Sequence, residues 1–134
     1  MSHSLNWQLI LDRLEDAPAG KRLRGVIDAA SVVQDDAEIA RAVLLRATED
    51  RVYSIRSAAI DTLGPSLSST AVGNELMNLL DTAESPIVQL ALVDLVLRNG
   101  SGPQLERLRQ LANAGRLHAD LIQHVRNSLG SETI

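Results

Sequence analysis

Asp35, Asp36 and Glu38 form the densest carboxylate cluster in the sequence. Two carboxylates held close together can divide acid and base roles when burial raises the pKa of one. These three stand just ahead of an apolar helical stripe. There, negative charge complements the helix dipole and side-chain oxygens cap free N–H groups. Asp35 is therefore expected to cap the helix, with Glu38 three residues on completing a capping box. His3, His118 and His124 are the nitrogens a metal could use. His118 and His124 are six residues apart and face different sides of a helix, so both are read as solvated and no metal is expected. Lys21, Arg22 and Arg24 form a basic cluster that Arg41, Arg46, Arg51 and Arg56 extend. Guanidinium groups match phosphates bidentately. Asp28, Asp35, Asp36, Glu38, Glu49 and Asp50 are interleaved with them, which predicts a mixed solvated face. No Gly-x-Ser-x-Gly and no Walker-type glycine-rich loop occurs, and Ser66, Ser68, Ser69 and Thr70 read as a connector. The chain is read as a non-enzyme without a cofactor.

Composition narrows the field further. The chain has 134 residues, 45% hydrophobic and 22% charged, which is ordinary globular usage and enough for one domain with a full core. It has no cysteine, so disulfides, zinc–thiolate sites and thiol catalysis are excluded. Net charge is −4 and the pI about 5.3, which disfavours nucleic acid and anionic membranes as partners. With no Phe, one Trp and one Tyr, the core must be aliphatic. Trp7 is expected to pack against the second helix as part of an N-terminal cap. The apolar run between Gln89 and Asp94 is only four residues, far short of a membrane span. Met1–Trp7 lacks the basic and apolar regions of a secretory signal.

Apolar spacing is helical almost throughout. Trp7, Ile10, Leu11 and Leu14 follow the i, i+3, i+4, i+7 pattern, and Leu23, Val26, Ile27 and Ala30 repeat it. Further stripes begin at Ile39, Ile55, Val72, Ile87, Leu105 and Leu117, with no sustained period-2 alternation. Ala17-Pro18-Ala19-Gly20, Gly64-Pro65-Ser66, Asn99 to Pro103 and Ala114-Gly115 break the stripes. Gly64 is expected in the left-handed position after the fourth helix, and Ser85-Pro86 opens the sixth as N-cap and N1. The spacing predicts an all-α chain of four helix pairs near 4–33, 36–64, 70–98 and 103–129, with a loose tail at 131–134.

The pairs also repeat. Ser54-Ile55-Arg56-Ser57-Ala58-Ala59-Ile60-Asp61 aligns with Ile87-Val88-Gln89-Leu90-Ala91-Leu92-Val93-Asp94 at an offset of 33. Weaker echoes fall 32 residues before and 34 after these segments. A helix pair cannot bury both faces alone, so such a period predicts a short α-solenoid of antiparallel pairs in a single repeat domain. The second helices, near 20–33, 52–64, 85–98 and 117–129, are expected on the concave side.

These residues resemble HEAT repeats. Asp50, in the turn of a pair, and Ile55-Arg56, opening its second helix, match the HEAT pattern. The resemblance implies an Asp50–Arg56 rung. The next repeat has Ala83 and Gln89 at those places, so only the central rung is expected. The stretch from Ser85 to Val96, followed by Gly102 to Leu111, is similar to the C-terminal HEAT-repeat region of bacterial zinc-binding anti-sigma factors. The zinc site and membrane span of such proteins are absent from the sequence. The resemblance implies a non-catalytic protein–protein interaction module with a regulatory role. It implies a cytoplasmic location if the chain is free-standing, and a periplasmic one if it is the excised domain of a membrane-anchored protein. The alternative is a HEAT-like nucleic-acid-binding or DNA-repair protein.

The sixth helix carries the strongest partner signal. Its core stripe is Val88, Ala91, Leu92 and Leu95, and a second flank reads Ile87, Leu90, Asp94, Leu97. The equivalent flank one repeat earlier, Ser54, Ser57, Asp61 and Gly64, is polar. A helix apolar nearly all round is either enclosed or carries an exposed patch. Either neighbouring helices wrap the flank and bury it, or Leu90 and Leu97 stay partly exposed and the flank binds a protein partner or a second copy of the chain.

Overall fold

The computed structural model describes residues 5–130. His3 and the tail 131–134 lie outside them. Among the described residues there are eight α-helices, one 3-10 turn and no strand, so the all-α reading holds. The helices divide between two compact units, Met1–Ser66 and Leu67–Ile134, of two helix pairs each. Each pair ends within a few residues of its expected limits. None of the helices is long and apolar enough to cross a membrane.

The first unit holds α1 (Leu5–Leu14), α2 (Ala19–Ala29), α3 (Ala37–Glu49) and α4 (Tyr53–Thr62). Leu14, Val26, Ile39, Val43, Ile55, Ile60 and Leu63 are fully enclosed and make an aliphatic core. Each such side chain contributes roughly 1.5–3 kcal/mol relative to exposure. Gly25 lets α1 and α2 approach closely: a Cβ there would sit 2.9 Å from the Leu14 backbone nitrogen. Trp7 is half-buried on α1.

Three local expectations change. The α3 cap is Asp36, not Asp35: its Oδ1 accepts from the N–H groups of Glu38 (2.8 Å) and Ile39 (3.0 Å). Glu38 thus falls at the second helical position, too early to complete a capping box with this cap. The second helix stops at Ala29 rather than near 33, and the turns at 30–35 drop Val33 into the core. Gly64 keeps a negative φ, because the chain tightens into a 3-10 turn over Gly64–Ser66. Left-handed glycines occur instead at Gly115 and Gly130, as their positions after α7 and α8 demand.

The second unit holds α5 (Thr70–Thr82), α6 (Pro86–Asn99), α7 (Gly102–Asn113) and α8 (Ala119–Leu129). Its core is Leu76, Leu80, Val88, Leu92, Leu95, Leu108, Leu111 and Val125. Ser85 caps α6 as expected, with Pro86 at the first helical position. The capping box of the chain lies at α7, where Ser101 and Gln104 satisfy each other's backbone N–H. Gln104 also donates to the Leu67 carbonyl at 3.1 Å, and Arg107 holds Asp81 bidentately at 2.8 and 2.9 Å, tying α7 to α5.

Candidate functional site

The first unit has a charged centre built from two of its interhelix turns, α1–α2 and α3–α4. Asp50 follows α3 and is buried; Arg22 lies in the first turns of α2 and is buried too. Arg22 donates through Nε (2.8 Å) and Nη2 (3.2 Å) to the two oxygens of Asp50. Its Nη1 donates to the carbonyls of Asp16 (3.1 Å) and Ala17 (2.6 Å), in the α1–α2 turn. The Asp50 carboxylate also accepts from the Val52 N–H at 2.9 Å and from Arg46 Nη1 at 3.3 Å. Burial alone would push the Asp50 carboxyl up. The hydrogen bonds from Arg22 and Val52 and the charges of Arg22 and Arg46 outweigh it and hold the pKa below the ordinary aspartate value. The same bond to Asp50 raises the Arg22 pKa, against the opposing pull of burial.

This overturns the expected Asp50–Arg56 rung. Arg56 donates from Nε to the Ala47 carbonyl at 3.0 Å and lies 5.8 Å from the Tyr53 ring centre. The guanidinium that reaches Asp50 comes from the preceding repeat, because the buried flank of α2 carries Arg22 toward the α3–α4 turn. Gln89 corrects the reading again. It is buried, donates to the Ala83 carbonyl at 2.8 Å and accepts from the His118 N–H at 3.1 Å. A neutral amide thus makes in the second unit the turn-to-turn link that Arg22 makes in the first. Sequence reasoning missed Arg22, because the echo at an offset of 32 aligns Arg24, not Arg22, with Arg56 and Gln89.

Beside the charged centre lies an open cavity of about 220 Å³, lined by Glu15, Asp16, Ala17, Arg22, Arg46, Glu49, Asp50 and Arg51. Arg46 makes only the bond to Asp50, and its Nε is sealed from solvent without a partner. Two further members of the basic cluster pair with carboxylates, Lys21 at 3.9 Å from Asp16 and Arg24 at 3.4 Å from Asp28, whereas Arg56 bonds a backbone carbonyl.

The flank of α6 divides. Ile87 is 53% and Leu90 44% exposed, although Val88, Leu92 and Val93 on the same helix are sealed. Leu97 is half-buried. Asp94 is half-buried and meets His124 Nε2 at 3.0 Å, so it joins α6 to α8. His118 is exposed, yet its Nε2 lies 3.0 Å from the Glu84 carbonyl. Neither histidine is therefore simply solvated. Among the described residues no cluster of three or more His, Asp and Glu is arranged to hold a metal.

Comparison with protein-family models, with curated proteins and with solved structures finds no match for this chain.

Proposed function

We propose that the chain is a non-catalytic protein–protein interaction module whose partner surface is the α6 flank of Ile87, Leu90 and Leu97. One observation carries this reading: two large aliphatic side chains, a helical turn apart, stay about half exposed on a helix whose opposite face, Val88, Leu92 and Leu95, is enclosed. Contiguous exposed apolar surface rimmed by polar residues is a feature of protein interaction sites. The Asp94–His124 pair gives the strip a polar rim, the usual border of a docking surface. The resemblance of residues 85–111 to the regulatory region of bacterial zinc-binding anti-sigma factors supports a regulatory partner, with self-association as the second possibility for the same strip. The pairing of Lys21, Arg22 and Arg24 with carboxylates disfavours a nucleic-acid groove.

The test compares the parent with Leu90→Asp. Sedimentation measures self-association, and crosslinking in cells of the source organism followed by mass spectrometry identifies partners. The variant should keep its far-UV spectrum and lose association. A folded variant that associates as the parent does would refute the surface. A salt-dependent gel shift with duplex DNA would favour the nucleic-acid reading instead.

A further inference from the structure

We propose that the cavity beside Arg46 in the first unit binds a small zwitterion of the free α-amino acid class, its carboxylate on Arg46 and Arg51 and its ammonium against Glu15 and Glu49. The site lies apart from the α6 flank, so its test is independent of the function proposed above.

Hydrogen-bond inventory comes first. A carboxylate offers about four acceptor positions. Those of Asp50 are taken by Arg22 Nε and Nη2, Arg46 Nη1 and the Val52 N–H. Arg22 has hydrogen bonds at all three of its nitrogens. Arg46 is different. Its guanidinium carries about five N–H donors and directs only one bond, at 3.3 Å, into the protein. Nε is sealed without a partner, Nη2 makes no bond to a described residue, and the side chain, 18% exposed, lines the cavity. One carboxylate shared by two guanidiniums also leaves this centre with an excess positive charge.

Next comes the rim. Glu15, Glu49 and Arg51 are exposed and line the same cavity. None of the three side chains makes a hydrogen bond or ion pair with another described residue. Asp16 is already near Lys21. The groups with bonding capacity to spare are therefore two cations, Arg46 beyond its single bond to Asp50 and Arg51, and two anions, Glu15 and Glu49. A simple anion would meet the two glutamates, and a simple amine or metal ion would meet the two arginines. A molecule carrying both charges on adjacent carbons satisfies all four. The cavity, about 220 Å³ and open to solvent, has room for such a molecule. Ala17 is the one apolar side chain in the lining, so the ligand's own side chain points to the open mouth and selects weakly.

Isothermal titration of the parent chain tests this with glycine, L-alanine and L-glutamine as probes, and acetate, inorganic phosphate and methylamine as rivals. All three amino acids should bind, at least about tenfold tighter than any rival. Glu49→Gln, at an exposed position that leaves the fold intact, should weaken them about threefold, the worth of one exposed ion pair. Arg46→Gln should abolish binding, with circular dichroism checking that it folds; if it does not, Arg51→Gln and Glu49→Gln carry the test. Absence of amino-acid binding would overturn the proposal. So would acetate or phosphate binding as tightly, which would define a plain anion site. Binding unchanged in Glu49→Gln and Arg51→Gln would place the ligand elsewhere and overturn it equally.

Discussion

Replacing Gln89 should destabilise the second unit far more than its neutral side chain suggests. The amide joins two turns: Nε2 to the Ala83 carbonyl at 2.8 Å, Oε1 to the His118 N–H at 3.1 Å. Gln89→Met keeps the length of the side chain and removes both bonds. A neutral hydrogen bond is worth about 1 kcal/mol net. The pair is therefore worth about 2 kcal/mol, with water able to reach the freed N–H of exposed His118 and so limit the penalty. Gln89→Ala also removes a buried methylene, adding roughly 0.8 kcal/mol. With a urea m-value of about 1.5 kcal/mol/M, the midpoint should fall by about 1.3 M for Met and about 2 M for Ala. Far-UV circular dichroism follows the transition. Trp7 and Tyr53 both lie in the first unit, so intrinsic fluorescence reports that unit separately. Gln123→Met, which breaks an exposed bond to Asn127, is the control and should stay within about 0.5 kcal/mol of the parent. A Gln89→Met midpoint no further from the parent than this control would refute the turn-to-turn link.

Acid should weaken the first unit through Asp50. Its folded pKa is lowered, so its contribution is complete above the ordinary aspartate value of about 4 and is lost as pH falls through the lower folded value. Asp50→Asn should be less stable at neutral pH and show a flatter loss below about pH 4, read by urea midpoints across pH; a slope equal to the parent's would contradict the pairing with Arg22. Two glycines of α2 should respond oppositely to alanine. Gly25→Ala forces a Cβ to within 2.9 Å of the Leu14 backbone and should cost about 1–3 kcal/mol. Gly20→Ala meets nothing within 4 Å and should stabilise by about 0.5–1 kcal/mol, and thermal melts compare the two. On α6, Leu90→Asp should cost under about 1 kcal/mol, whereas Leu92→Asp, at a fully enclosed position, should unfold the unit by burying an unpaired carboxylate; similar losses for both would show that Leu90 is core.

Helical content was legible because it depends on local spacing. Stripes such as Val72, Leu76, Leu80 and Val88, Leu92, Leu95 each report one helix face, and Ser85-Pro86 and Gly115 act within a turn of their own positions. The repeat aligned Gln89 with Arg56, but its earlier echo fell on Arg24 rather than Arg22, so the donor of the first turn-to-turn link was missed. The partners could not be read, because they lie 28 and 29 residues further on and depend on how neighbouring pairs are set against each other. Asp50 therefore fell to Arg22 rather than Arg56, and Gln89, lacking charge, still formed a link. The half exposure of Ile87 and Leu90 was likewise undecided in sequence. An apolar helix reads the same whether its neighbours wrap it or leave one flank open, and only packing in three dimensions chooses between the two.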